Sequence, residues 1–329
     1  MEKVISGIRP TGHLHLGNYF GAVKSFIDMQ DKYQCMFFIA DWHSLTTHPT
    51  PEDIRQSVRT ILSEYLACGI DPEKAPIYVQ SDVKPVLELY LYLNMNAYLG
   101  ELERVTSFKE KARTQPDNVN AGLLTYPTLM AADVLAHKAD KVPVGKDQEQ
   151  NMEMMRLFAR RFNRIYNVEF FKEPESYHFY KNAVKVPGLD GSGKMGKSQG
   201  NCIYLMDDET TIRKKVMKAV TDSGPTQLNQ EKPEVIANLF TLMELVSTRE
   251  TYDYFNEAYN NMSIRYGDMK KQLAADINAF CAPIRERILE FQANREYMDK
   301  VAARGAEIAT ENASKTLAEV RHIIGFSSK

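Results

Sequence analysis

Val4-Ile5-Ser6-Gly7-Ile8-Arg9-Pro10-Thr11-Gly12-His13-Leu14-His15-Leu16-Gly17-Asn18 is the stretch on which the fold turns. Val4 to Ile8 is a short apolar run suited to a strand and Arg9-Pro10-Thr11-Gly12 is a turn signal. Phe20, Val23, Phe26 and Ile27 then recur at helical spacing. A strand that turns straight into a helix offers an anion free backbone donors and the positive end of the helix dipole. Two imidazoles and a glycine at that point make the segment a candidate phosphate-handling turn. Taken alone, His13 and His15 read equally well as ordinary loop histidines.

The same alternation continues outward. Cys35 to Ala40 is a continuous apolar run, the mark of a strand covered on both faces. Thr50-Pro51-Glu52-Asp53 supplies an N-cap with proline at the first helical position, and Ile54, Val58, Ile61, Leu62, Tyr65 and Leu66 line one side of a helix stopping near Gly69. Pro76 to Gln80 reads as a third strand, followed by a helix through Val86 to Leu99. Strands alternating with helices predict an α/β fold, a Rossmann-like parallel sheet with flanking helices and right-handed crossovers. Ligands of such sheets sit beyond the carboxyl ends of the strands, where His13 to Asn18 and Asp41-Trp42-His43 are expected.

From about Asp207 strand signals fade, and helices are predicted over 212–220, 235–246, 269–291 and 297–324. The expected division is a nucleotide-binding catalytic domain over 1–206, an all-helical domain over 207–295, and a C-terminal helical segment over 296–329 packing back on the first. The segment 221–233 is the clearest irregular stretch.

Composition bounds the chemistry. The 329 residues are 43% hydrophobic and 26% charged, enough for a substantial core and about two domains. A formal net charge of −2 means that any nucleic-acid partner is held by local basic patches, such as Arg213-Lys214-Lys215 with Lys218, or Arg285, Arg287 and Arg295. Cys35, Cys68, Cys202 and Cys281 are far apart with no C-x-x-C pair, so neither a zinc site nor a disulfide framework is signalled. The N-terminus lacks a long apolar segment, and no apolar run reaches the length of about 18 residues that a membrane helix needs. A cytoplasmic protein with no membrane partner is expected.

A second phosphate-handling segment follows the Gly-rich stretch Gly188 to Gly193: Lys194-Met195-Gly196-Lys197-Ser198, two ammonium groups on a flexible loop. Gly188 to Lys194 also fits G-x-x-x-x-G-K, but Met195 stands where a P-loop needs a hydroxyl for magnesium, with no helix directly after. It is a near miss.

His15-Leu16-Gly17-Asn18 resembles the HIGH motif of the class I aminoacyl-tRNA synthetases, with Asn18 in place of the second histidine. Lys194 to Ser198 resembles their KMSKS motif, with Gly196 in place of serine. Gly7 to Gly12, Gly100 to Lys111, Leu124 to Asp133, Val142 to Gln148 and Ala219 to Ser223 resemble segments of the tryptophanyl-tRNA synthetases, so the likeness spans nearly the whole chain. Arg9 departs from the glutamine that the bacterial enzymes often carry.

The resemblance implies ATP-dependent activation of L-tryptophan to its adenylate, then transfer to tRNA(Trp), releasing pyrophosphate and AMP. Lys194, Lys197 and Lys111 would stabilise charge on the departing pyrophosphate, with Mg²⁺ bridging the phosphates and His15 and Asn18 positioning them. Arg9, Thr11, Gly17, Asn18, Gly145, Asp147, Met195 and Ser198 would bind ATP. An indole nitrogen only donates, so its pocket needs an acceptor, and Asp133 occupies the matching position. Ile5, Met130, Val142 and Val144 would form apolar walls, and Tyr126 and Gln148 would bind the substrate ammonium. The helical domain would read the anticodon region, with Tyr259 or Tyr266 available for stacking, and a homodimer is implied. A phenol can also bond a carboxylate, so Asp133 alone leaves tyrosyl-tRNA synthetase as the alternative, and a non-enzymatic RNA-binding protein as a remoter one.

Overall fold

The computed structural model describes residues 1–145, 148–177 and 185–326. Five parallel strands, β1 (Lys3–Ile8), β2 (Gln34–Ile39), β3 (Ile77–Val79), β4 (Lys141–Pro143) and β5 (Glu175–Tyr177), form one sheet in the order β3-β2-β1-β4-β5. β1 pairs with β2 through Val4↔Cys35 and Ile5↔Met36, and with β4 through Val4↔Lys141. The chain winds outward from β1 in both directions, so the switch point lies between β1 and β4. That is where the crevice of a doubly wound sheet opens.

By its contacts the chain divides into two compact units: Met1–Gly12, Phe26–Lys181 and Asn294–Lys329 form the first, and His13–Ser25 with Asn182–Ala293 the second. The sheet belongs wholly to the first. Its helix Pro51–Cys68 begins as the sequence leads one to expect: Thr50 accepts from the Asp53 amide at 3.1 Å, Asp53 accepts from the Thr50 amide at 3.3 Å, and Gly69 closes the helix at φ 110°. Ile5, Met36, Phe38, Val142, Phe158 and Phe162 meet in the core, where Ala309, Ala313 and Val320 of the helix Arg295–Ile323 join them.

Gly305 shows how closely that C-terminal helix approaches β3. A Cβ built there would stand 1.9 Å from the Ile77 carbonyl oxygen. Glycine inside a helix normally costs about 1 kcal/mol relative to alanine. Here the sign reverses, because the obstructing atom is backbone and cannot rotate away. Gly305→Ala is expected to destabilise the protein by roughly 3 kcal/mol; an unchanged urea midpoint would show that the helix does not bear on the strand as described.

Also in the first unit, fully buried His137 accepts from Tyr78 Oη at Nε2 (3.2 Å), while its Nδ1–H donates to Asn312 Oδ1 at 3.0 Å. Burial, with Lys3 adding to it against the Asn312 bond, lowers its pKa from 6.5 to about 4. The unfolded chain therefore binds a proton between pH 6.5 and 4 that the folded chain refuses. Stability is complete above 6.5 and is lost as pH falls toward 4, by roughly 3 kcal/mol from this group. Urea titrations at pH 7.5 and 5 should show about 2 kcal/mol of that loss in the parent and a smaller one in His137→Gln.

The second unit is mainly helical: Glu209–Met217, Glu234–Val246, Arg249–Asn260 and Tyr266–Ala293. The Arg249–Asn260 helix, capped by Thr248, is absent from the sequence expectation. Several basic side chains serve the packing of the unit: Lys215 pairs with Asp207 at 2.5 Å, Arg285 donates to the Asp207 carbonyl at 2.5 Å, and Lys270 donates to the Ala219 carbonyl at 2.7 Å. Tyr259 is 0% exposed and Tyr266 donates its hydroxyl to Asp222 at 2.7 Å, so Tyr259 cannot stack on a base. Its ring fills the core of the unit instead.

Candidate active site

The second unit brings the two phosphate-handling motifs together. Leu16 donates to the Ile203 carbonyl and Leu205 to the Leu14 carbonyl, both at 3.0 Å, with an antiparallel bridge between His15 and Tyr204. Leu14, Leu16, Ile203 and Leu205 are all fully buried, so apolar burial holds this short ladder shut. The partner segment starts at Ile203, shortly after the lysine loop ends at Ser198, and the motifs are thereby tied edge to edge.

His15 caps the one-turn helix Leu16–Asn18 in an unusual reciprocal way. Its Nδ1 accepts from the Asn18 amide at 3.3 Å, and Asn18 Oδ1 accepts from the His15 amide at 3.1 Å. Because Nδ1 accepts, the ring proton resides on Nε2, which is left as a donor. Burial first, then the charges of Lys197 and Lys194, depress the His15 pKa to about 4. At neutral pH the group is an uncharged Nε2–H donor beside two cations. Asn18, its oxygen engaged by the His15 amide, has its NH₂ as its donor group.

Gly17 is required by packing: a Cβ there would meet His15 Nδ1 at 2.8 Å and Met195 Cβ at 3.4 Å. Met195 is 2% exposed and its amide donates to the Val186 carbonyl at 2.8 Å, so it anchors the loop while Lys194 stays exposed. Gly196 has φ −155°, extended backbone that any residue adopts, and its Cβ position is open except for Gln199 Oε1 at 3.8 Å. A serine would therefore fit. Ser198 falls in the turn Lys197–Gln199.

The first unit carries the candidate indole end, at the carboxyl ends of its strands. Asp133, on the helix Tyr126–Leu135, is 2% exposed. His43 Nε2 donates to its Oδ2 at 2.8 Å, and Gln80 Nε2 donates to Oδ1 and Oδ2 at 2.8 and 2.9 Å. Gln80 is itself fixed by the Trp42 amide, which donates to its Oε1 at 3.1 Å. A carboxylate has about four acceptor positions. Oδ1, engaged only by Gln80, keeps capacity for a further donor.

Tyr126 lies against His43 with ring centroids 4.3 Å apart, and Lys111 Nζ stands 5.0 Å over the Tyr126 ring. Burial, then the nearby Arg9 guanidinium, lowers the Lys111 pKa against the opposing pull of Glu110. Arg9 donates to Thr47 Oγ1 at 3.4 Å. Ile5, Val142 and Val144 sit in the core cluster, with Met130 partly buried against it. Thr11 and Gly145 are exposed, and Gln148, at the start of the helix Glu149–Tyr166, accepts from Asn151 at 2.8 Å. Asp147 lies outside the described residues.

His43 and Gln80 are the residues that sequence reasoning left without a role. Their signal is positional, since each follows a strand, β2 and β3, at its carboxyl end.

The first unit has the doubly wound sheet, and the second the imidazole turn laddered to the segment after two lysines, that a nucleotide-using enzyme of the class I synthetase type carries. The chain belongs to that family: the model for tRNA synthetases class I (W and Y) matches residues 2–282. Within it, a tryptophan–tRNA ligase of Porphyromonas gingivalis is 73% identical over 326 residues, 99% of this chain and 100% of that one. The tryptophanyl-tRNA synthetase of Campylobacter jejuni, in a crystal structure complexed with ADP and tryptophan, superposes with a TM-score of 0.89 at 34% identity, covering 98% of this chain and 99% of that one. A tyrosyl-tRNA synthetase from Archaeoglobus fulgidus, complexed with L-tyrosine, reaches a TM-score of 0.66 at 20% identity over 87% of this chain and 90% of that one, a likeness of fold.

Proposed function

We propose that the protein is an aminoacyl-tRNA ligase that activates L-tryptophan with ATP to tryptophanyl-adenylate and transfers it to tRNA(Trp), releasing pyrophosphate and then AMP. The observation that carries this reading is the ladder that sets a neutral His15 beside Lys194 and Lys197, in a chain so closely similar to a tryptophan–tRNA ligase. The nucleophile of the first step, a carboxylate, is already an anion. No protein general base is needed, and the rate comes from alignment and from preorganised charge.

In this reading His15 Nε2–H and the Asn18 NH₂ donate to phosphate oxygens, and Lys194, Lys197 and Lys111 neutralise the departing pyrophosphate. Arg9, Thr11, Gly17, Gly145, Met195 and Ser198 line or support the nucleotide. Asp133 accepts the indole N–H, held in place by His43 and Gln80. Met130 and the core residues Ile5, Val142 and Val144 shape the apolar side, and Tyr126 and Gln148 take the ammonium. The local donor set is cationic and imidazole in character, so Mg²⁺ would be carried by phosphate oxygens and water and not by a protein cage. When bound it would supply positive charge that offsets the negative charge of the phosphates.

The second unit's exposed Arg213, Lys214 and Lys218 suit tRNA phosphates, and its helices suit the anticodon region. A homodimer in the cytoplasm completes the proposal; among the described residues no helix is long and apolar enough to cross a membrane. The test is ATP–pyrophosphate exchange with each of the twenty amino acids, followed by tRNA charging. Exchange with tryptophan alone is expected. Exchange with tyrosine in its place, or with none, would overturn the assignment.

A further inference from the structure

The loop that carries Lys194 and Lys197 is organised around one side chain outside the motif, Asn201. It is 5% exposed. Its Oδ1 accepts from the Gly196 amide at 2.8 Å. Its Nδ2 lies 2.9 Å from Asp190 Oδ1, 2.9 Å from Ser192 Oγ, 3.1 Å from the Lys194 carbonyl and 3.1 Å from Gln199 Oε1. An amide nitrogen has two protons, so four acceptors compete for two bonds. The Gly196 amide fixes which way the carboxamide points, since its N–H needs an oxygen opposite it.

Two neighbours are built around this contact. Asp190 Oδ1 also accepts from the Ser192 amide at 3.0 Å and from its hydroxyl at 2.7 Å, and these bonds, with that from Asn201, hold the Asp190 carboxyl below the usual carboxylate range. At Gly188 a Cβ would stand 2.1 Å from Asn201 Nδ2 and 2.6 Å from Asp190 Oδ1. Only a hydrogen at 188 leaves room for the carboxamide. Asn201 is also two residues from Ile203, whose carbonyl receives the Leu16 amide. It therefore lies between the lysine loop and the ladder that leads to His15.

We propose that Asn201 is a positioning residue for the activation step: by bonding the Gly196 amide, the Lys194 carbonyl and the Asp190 carboxylate together, it holds Lys194 and Lys197 in the arrangement that lets them act on the triphosphate. This rests on the function proposed above. Asn201 touches no reacting atom, and its effect passes through the two lysines. Asn201→Asp is nearly isosteric and keeps an acceptor for the Gly196 amide. It sets a carboxylate against three acceptors, Asp190 Oδ1, the Lys194 carbonyl and Gln199 Oε1, with the Ser192 hydroxyl as the one neighbour able to turn a proton toward it. Asp190→Asn combined with Asn201→Asp restores a donor–acceptor pair with the roles exchanged.

The experiment measures tryptophan-dependent ATP–pyrophosphate exchange, tryptophan binding and limited trypsin cleavage on the full chain and on these variants. Asn201→Asp is expected to lower the exchange kcat about 100-fold, the usual consequence of misplacing a catalytic group by about an ångström, with tryptophan affinity within twofold. Cleavage after Lys194 and Lys197 should accelerate while other sites keep their rates, which global destabilisation would not produce. The double variant should recover kcat to within tenfold of the parent. A folded Asn201→Asp protein exchanging within threefold of the parent overturns the proposal. So does a folded double variant no faster than the single one, a comparison that stands even where the single variant is recovered only in part. Failure of the parent itself to exchange with tryptophan is a different result, one that removes the functional reading.

Discussion

Lys197→Ala is expected to slow adenylate formation about a thousandfold, because removing one preorganised electrostatic group from such a site costs about 3–4 kcal/mol in the transition state. The proposed nucleophile carries its own charge, so barrier lowering falls to groups that meet charge building on the leaving pyrophosphate. Lys197 stands close enough to His15 to be the largest charge depressing that imidazole. Its loss should therefore leave a second mark: the His15 pKa of about 4 should rise, while burial and Lys194 still hold it below 6.5, a shift readable by NMR titration of the ring. Tryptophan affinity should stay within a fewfold, since the residues assigned to the amino acid belong to the other unit. A variant with parental exchange turnover would remove Lys197 from the reaction.

Asp133→Ala is the second large effect. Its carboxylate receives His43 and Gln80 in a nearly dry setting. Removing it deletes the proposed indole acceptor and strands two buried donors, so kcat/KM for tryptophan should fall by on the order of 10²–10³. A tryptophan analogue with sulfur in place of the indole N–H separates the two causes. The parent should discriminate strongly against it, and Asp133→Ala should treat both substrates nearly alike. Undiminished discrimination in the variant would show that the indole nitrogen is read elsewhere.

The first three strands and the helices Pro51–Cys68, Pro85–Met95, Glu209–Met217, Glu234–Val246, Tyr266–Ala293 and Arg295–Ile323 are legible because each is signalled locally. β2 reads as an unbroken apolar run, and Thr50-Pro51 and Gly69 bracket a helix with cap chemistry that needs no distant partner. β4 and β5 escape a sequence reading because Lys141-Val142-Pro143 and Glu175-Ser176-Tyr177 are short and mix charged or polar residues and a proline, where the equally short β3 is wholly apolar; only pairing, of β4 with β1 and of β5 with β4, makes them strands. The helices Thr106–Thr114, Tyr126–Leu135, Glu149–Tyr166 and Arg249–Asn260 have no counterpart in the sequence reading, the last despite its Thr248 cap. Lys215 and Arg285 looked like phosphate ligands because charge is visible in a sequence and its partners are not. Asp207 engages both.

By itself the sequence determined the types of the locally signalled elements and the two motif chemistries, because backbone preference, capping and side-chain charge are properties of neighbouring residues. Its likeness to tryptophanyl enzymes also singled out Asp133. Only the tertiary structure decided that residues 14–16 pair with 203–205, that His43 and Gln80 clamp Asp133, and that Gly305 must be bare. Each of these depends on which backbone groups from distant segments share a buried space. That choice is made by packing a whole core, and no local pattern of residues encodes it.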